Sequence, residues 1–301
     1  MFKYWGFGLH IASEIGFPEL LPATFTEADV TITIGKTPEL PEGEVIRKKI
    51  FSSITKHEYL LSVKNICKYY AGYGKTIIAA PVPGADERSV RVFLLGTVMA
   101  AILYQRGEIP LHASAIVKDG KLIIFAGNSG SGKSTLLAQL LAKGYEAFTD
   151  DICILRLQDT HEHSEVVGTA SYPMIKLWDN AISELDSTMF TRDFKIRPQL
   201  PKYGQFFYET FNQGTLPVDK IFILTTKRPA DNASIKKFDG INIFKKLEKQ
   251  AYKHQLIADT QLKGLYFSLL SRLSIQSPVY EVYRQEGANM EDMPGMLIKY
   301  L

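Results

Sequence analysis

The residues Gly127-Asn128-Ser129-Gly130-Ser131-Gly132-Lys133-Ser134 fit the spacing G-x-x-x-x-G-K-[ST], and Thr135 follows directly. Each residue type has a use in holding phosphate. Glycines let the backbone curl until successive N–H groups point into one cavity, a lysine reaches the outer phosphate oxygens, and a serine hydroxyl can ligate Mg²⁺. Downstream stand two adjacent carboxylates, Asp150 and Asp151. Phosphoryl transfer divides such a pair between holding a metal ion and taking a proton from an attacking hydroxyl. A turn in water is the plainer reading of the same pair. Upstream, His112 is either a structural histidine or an imidazole facing the phosphates. Lys176 is a further cation suited to a transferring phosphoryl group.

These residues need particular elements to carry them. Leu122 to Ala126 reads as a buried strand, and Thr135 to Lys143 as a helix closed by Gly144, so the glycine-rich run sits between strand and helix N-terminus. Leu111 to Val117 reads as a strand that pairs with Leu122–Ala126 across an Asp119-Gly120 turn, a hairpin signal. An antiparallel hairpin therefore feeds the loop, in place of the usual parallel unit. If Asp150 and Asp151 lead into the apolar run that begins at Ile152 as strand neighbours, they point to opposite faces.

Around this centre, residues 1–88 read as a small antiparallel β lobe, with strands at Val30–Ile34 and Tyr59–Val63 and a hairpin over Lys68–Ile78. Ser89 to Arg106 reads as a buried helix. Later elements are an extended run Ser171–Trp178, a strand over Leu216–Thr225, helices over Phe244–Ala258 and Tyr266–Leu273, and a strand over Pro278–Tyr283. His161-Glu162-His163 reads as an exposed loop and not a metal site. Arg192, Lys195, Arg197 and Lys202 read as solvated cations.

Bulk composition sets outer limits. The 301 residues carry a formal net charge of +3, which gives no reason to expect nucleic acid as a partner. The apolar run Val92–Tyr104 is too short to span a bilayer, so no membrane partner is expected. Cys67 and Cys153 form no spacing pattern, as in a reduced, cytoplasmic protein. The oligomeric state, a homo-oligomer included, stays open.

The ordered set Leu111-His112-Ala113-Ser114-Ala115, Gly127 through Thr135, and Thr149-Asp150-Asp151 resembles the catalytic domain of the HPr kinase/phosphorylase superfamily. Tyr172-Pro173, Lys176-Leu177-Trp178, Pro278-Val279-Tyr280, Tyr4-Trp5-Gly6-Phe7-Gly8-Leu9 and Pro18-Glu19-Leu20 are similar to its smaller relatives, the lasso-peptide precursor kinases. The resemblance implies an α/β fold: a P-loop kinase core of the HPr kinase / PEP-carboxykinase-like type at residues 89–301, with the β-rich lobe before it. It also implies ATP and Mg²⁺ as cofactors. The implied reaction is transfer to a serine of a peptide, the C-terminal serine of a lasso-peptide precursor. Nucleotide contacts fall on Gly127, Asn128, Ser129, Gly130, Ser131, Gly132, Lys133, Ser134 and Thr135. By the same analogy Asp151 is the base, Asp150 joins Ser134 on the metal and His112 orients the base or the phosphate. The two aspartates' roles are exchangeable. Leu247-Glu248-Lys249-Gln250 departs from the bifunctional enzymes' downstream signature, and Lys133-Ser134-Thr135 departs from their usual loop ending. A folded carrier such as HPr is therefore the alternative acceptor, and a nucleotide-gated peptide-binding module that transfers nothing is the alternative of another class.

Overall fold

A two-residue turn opens the chain: Phe2–Gly6 pairs with Leu9–Ser13 across Phe7 and Gly8, both left-handed at φ 59° and 73°. Such turns match the twist of the strands that they join. The computed structural model describes residues 1–159, 164–185, 188–227, 234–257, 259–285 and 292–301, and the fold is mixed α/β with several sheets. His161, Glu162 and His163 lie outside the described residues.

The N-terminal strands form a larger and less uniform sheet than a small antiparallel lobe. Nine described strands run in the order Leu21–Pro22, Phe2–Gly6, Leu9–Ser13, Val30–Ile34, Thr76–Pro81, Cys67–Gly72, Glu58–Val63, Ser52–Ile54 and Arg47–Lys49. Val30–Ile34 lies parallel to both of its neighbours. The segment between Ser13 and Val30 is long enough to carry the chain back to its starting end, which a hairpin turn cannot do.

A helix capped by Asp86 runs from Glu87 through a wider π turn at Leu94–Val98 to Gln105. It is buried between the first sheet and the second, and one hydrophobic cluster spans both. Arg91 on this helix forms a buried ion pair with Glu19, Nε to Oε1 at 3.0 Å.

The second sheet runs Ile109–Leu111, Cys153–Asp159, Ser164–Ala170, Thr215–Lys227, Lys121–Gly127, Ala113–Lys118 and Glu146–Thr149. Val279–Gln285 pairs parallel to Thr215–Lys227. The hairpin across Asp119 and Gly120 forms as expected, with φ of 51° and 72°. The strand before it is broken at His112: Leu111 pairs with Cys153, whereas Ala113 pairs with Ala126. The helix Lys133–Ala142 crosses from Lys121–Gly127 to Glu146–Thr149, with the antiparallel Ala113–Lys118 between them. Those two outer strands run parallel and so end at the same sheet edge.

Two C-terminal helices differ from the sequence reading. The first covers only Ile241–Glu248, because Gln250 to Tyr252 pair back onto the His112 break. The Gln250 carbonyl accepts from His112 N–H at 2.8 Å, Tyr252 N–H donates to Pro110 O at 2.8 Å, and Lys253 turns left-handed at φ 53°. The second is longer than expected, Thr260–Gln276, with Asp259 capping its start. A small sheet of Met174–Trp178, Leu200–Phe206 and Lys195–Arg197 completes the fold. Cys67 and Cys153 are free and buried, and burial pushes their thiols up to about 11 and about 12. No helix among the described residues is long and apolar enough to cross a membrane.

Candidate functional site

The glycine-rich loop leaves the strand at Gly127 and enters the helix at Lys133. Gly127 has φ 147°, and a Cβ there would lie 2.6 Å from the Leu224 carbonyl oxygen. Only glycine fits that approach. Gly132 precedes the helix at φ 93° without a side-chain cap, and the first-turn N–H groups of a helix have no partner within it. Asn128, Ser129 and Gly130 are exposed at the loop crest, and Thr135 sits in the first turn. The Ser131 Oγ is buried without a hydrogen-bond partner. A buried hydroxyl left unpartnered just before a helix N-terminus suits a ligand rich in acceptor oxygens.

Lys133 bends back over the loop, its Nζ donating to Gly127 O at 2.8 Å and Asn128 O at 3.0 Å. Burial pushes its ammonium down to about 8, against the attraction of Asp150 and Asp151. Beside the loop, a cleft of about 590 Å³ is lined by Gly127–Ser131, Ile223–Thr226, Lys246, Lys249 and Gln250. It opens at the carboxyl ends of parallel strands, where α/β sheets hold ligands. The buried Glu281 accepts from Lys246 at 2.6 Å and Thr225 at 3.2 Å, and also from Tyr283, so the lysine is held at the cleft wall.

The parallel strands bring Asp150 to the same edge as the loop. Its Oδ1 accepts from Ser134 at 2.9 Å and Ser114 at 2.6 Å, and its Oδ2 from the Lys176 backbone N–H at 2.9 Å. Asp151 does not sit on a strand. Ile152 N–H bonds to Asp150 O at 2.8 Å around Asp151 at φ 70°, a γ-turn of the rarer, positive-φ kind. The two carboxylates thus face one site instead of opposite sides. Thr149 braces the turn, donating to Ile152 O at 2.8 Å and accepting from Ser171 N–H at 3.1 Å. Ser171 is in turn fixed by the first hairpin, since Phe7 N–H donates to its carbonyl at 2.6 Å.

Asp151 pairs with Lys176 at 2.7 Å through Oδ2. Burial works to raise its carboxyl, but Lys176, His112 and Lys202 outweigh this and hold it well below the usual carboxylate range. Burial works to lower Lys176, and Asp151 overcomes it, so that the ammonium is held well above its ordinary value. His112 Nδ1 lies 3.0 Å from the Asp151 carbonyl oxygen, which can only accept, so Nδ1 carries the proton in that contact. Burial, with Lys133 adding to it, lowers the imidazole pKa and favours the neutral ring.

His112, Lys133, Ser134, Asp150, Asp151 and Lys176 therefore converge. Arg192 does not join them; it pairs with the exposed Asp179 at 2.6 Å. Sequence reasoning missed Ser114 as a partner of Asp150 and set Lys202 aside as solvated. Ser114 did leave a signal, a hydroxyl within the apolar run Ala113–Val117.

No protein-family model matches this chain. No curated protein matches it either. Among solved structures, the Hpr(Ser) kinase/phosphatase from Coxiella burnetii aligns with 64% of this chain and 94% of its own, at 11% identity and a TM-score of 0.32. A likeness that slight carries no argument about fold or activity.

Proposed function

We propose that this protein is an ATP- and Mg²⁺-dependent serine kinase whose acceptor is a peptide, the C-terminal serine of a lasso-peptide precursor. The observation that supports the reading most is the contact of Asp150 with Ser134, which joins a carboxylate to the hydroxyl that ends the glycine-rich loop. Loop N–H groups and Lys133 bind the phosphates. Ser134 and Asp150 would hold Mg²⁺ together with phosphate oxygens, and the ion would supply neutralising charge. Among the described residues no three His, Cys, Asp or Glu side chains cluster as a metal cage, and a Mg²⁺ site shared with phosphates needs none.

Asp150 has both oxygens engaged and is 1% exposed, whereas the Asp151 side chain is 19% exposed and binds Lys176 through Oδ2, with Oδ1 3.5 Å from His112. Asp151 is therefore assigned as the proton acceptor. As the serine oxygen forms its bond to phosphorus and the bond to the leaving diphosphate breaks, the serine proton passes to Asp151. A carboxylate held so low is a weak base, which suits a loose transition state where positioning sets the rate. Lys176 and His112 keep that carboxylate in place. The serine and peptide parts of the reading come from the sequence resemblance.

The test is incubation with ATP, Mg²⁺ and a panel of serine peptides and intact carrier proteins, read by intact mass. One phosphate added to a serine peptide, and lost with Lys133→Ala, supports the reading. Gain on carriers alone replaces the acceptor, and ATP-dependent peptide binding without mass gain replaces the activity.

A further inference from the structure

Among the described residues, one ammonium near the carboxylates, that of Lys202, has neither a carboxylate nor a carbonyl oxygen to hold it. Lys202 pairs directly with Trp178, and Gly204 with Lys176, across antiparallel strands. Opposed residues share a face of a sheet, as do residues two apart on one strand. Lys176 turns this face toward Asp151 through its 2.7 Å bond, so Trp178 and Lys202 look into the same space. The Lys202 ammonium stands 5.5 Å from the centroid of the Trp178 ring, and Trp178 is 41% exposed. Burial lowers the Lys202 pKa, while Asp151 and Asp150 act on it from beyond bonding range.

The other charged groups at the site are satisfied. Lys133 has two loop carbonyls, Lys176 has Asp151, and Asp150 accepts three hydrogen bonds. Among the described residues no carboxylate lies within ion-pairing distance of Lys202, whose neighbour is the indole. A half-buried ammonium without a counter-ion is a cost that an incoming anion repays. Lys202 stands on the small sheet with Lys176 and is attracted more strongly by Asp151 than by Asp150; it also acts on Lys133, but the loop has its own donors for phosphate.

We propose that Lys202 and Trp178 form a receptor for a carboxylate that the acceptor carries beside its hydroxyl, which selects peptides ending in a free C-terminal serine. The inference rests on the kinase reading of this site and adds the residues that choose the substrate. Lys202 binds the terminal carboxylate, and the exposed face of Trp178 receives the chain that leads up to it.

The experiment compares one serine-ended peptide as free acid and as C-terminal amide. Transfer is measured as kcat and KM, and binding as indole fluorescence in a Trp5→Phe background where Trp178 is the remaining tryptophan. The expected preference for the acid is about 10- to 100-fold, the range of a charge-assisted hydrogen bond, and it appears in KM and in binding. Lys202→Met brings the acid-to-amide ratio toward one, and Lys202→Arg keeps most of it. Equal use of acid and amide by the unaltered protein overturns this inference and leaves the kinase reading intact. A Lys202→Met loss confined to kcat and equal for both peptides also overturns it, by moving the lysine to the transferring phosphoryl group. Acid-selective binding without any transfer upholds the receptor and sinks the kinase.

Discussion

Lys133 is an ammonium that the fold makes easy to discharge. Its pKa is down to about 8 through burial, whereas a lysine in water titrates near ~10.4. If the charged form is the one that grips phosphate, the apparent dissociation constant for ATP·Mg²⁺ grows with the neutral fraction. From a value of about 8, the affinity falls by about tenfold between pH 7 and pH 9, and a lysine of ordinary pKa loses less than ~10% over that range. Phosphate groups give up their last proton near pH ~6, so the ligand's own charge stays constant throughout. Calorimetric titration at fixed ionic strength and a series of pH values reads the slope directly. Lys133→Arg keeps its charge at all these pH values and flattens the slope, whatever it does to the affinity at pH 7. A dissociation constant that stays level from pH 7 to 9 in the unaltered protein would show that Lys133 does not discharge in this range. An unchanged slope in Lys133→Arg would transfer it to another group, Lys202 first.

On the proposed reading, Asp151→Asn lowers kcat by about 10²–10⁴, the contribution of a general base, while circular dichroism remains native. It also leaves Lys176, 9% exposed, without its counter-charge, at a stability cost of up to about 3 kcal/mol in urea unfolding that Lys176→Met recovers in the double variant. Because the folded Asp151 value lies below the unfolded ~3.9, its contribution is present above that pH and is lost as pH falls through the folded value; acid unfolding of Asp151→Asn lacks that loss. Gly127→Ala drives a Cβ against the Leu224 carbonyl and costs about 1–3 kcal/mol, seen as a lower melting temperature. Arg91→Met strands the buried Glu19 and costs about 3–5 kcal/mol in the same unfolding assay, most of it regained by adding Glu19→Leu.

Elements with strong local signals were legible in the sequence. The Asp119-Gly120 hairpin, the glycine-rich loop and the strand at Thr215–Lys227 each carry turn residues or apolar runs that decide them locally. What escaped depends on partners distant in the chain. His112 breaks a continuous apolar run only because Leu111 and Ala113 pair with different strands. Ile241–Glu248 stops short of the periodic pattern because residues 250–252 are claimed by that break. Asp151 takes a backbone conformation that few residues other than glycine adopt, so alternation misplaced its side chain. Lys202 looked solvated because its neighbour across the sheet, Trp178, is 24 positions away.

The tie between Leu111 and Ala251 bears on the order in which a growing chain can finish its work. A nascent polypeptide that has emerged only through Ala142 already holds every glycine of the loop, yet lacks both the flanking strand at Thr215–Lys227 and the carbonyl that takes the His112 amide. The backbone at His112 gains that anchor after Gln250 has left the ribosome. Synthesis from the N-terminus therefore completes this sheet edge late, after the N-terminal sheet has been made.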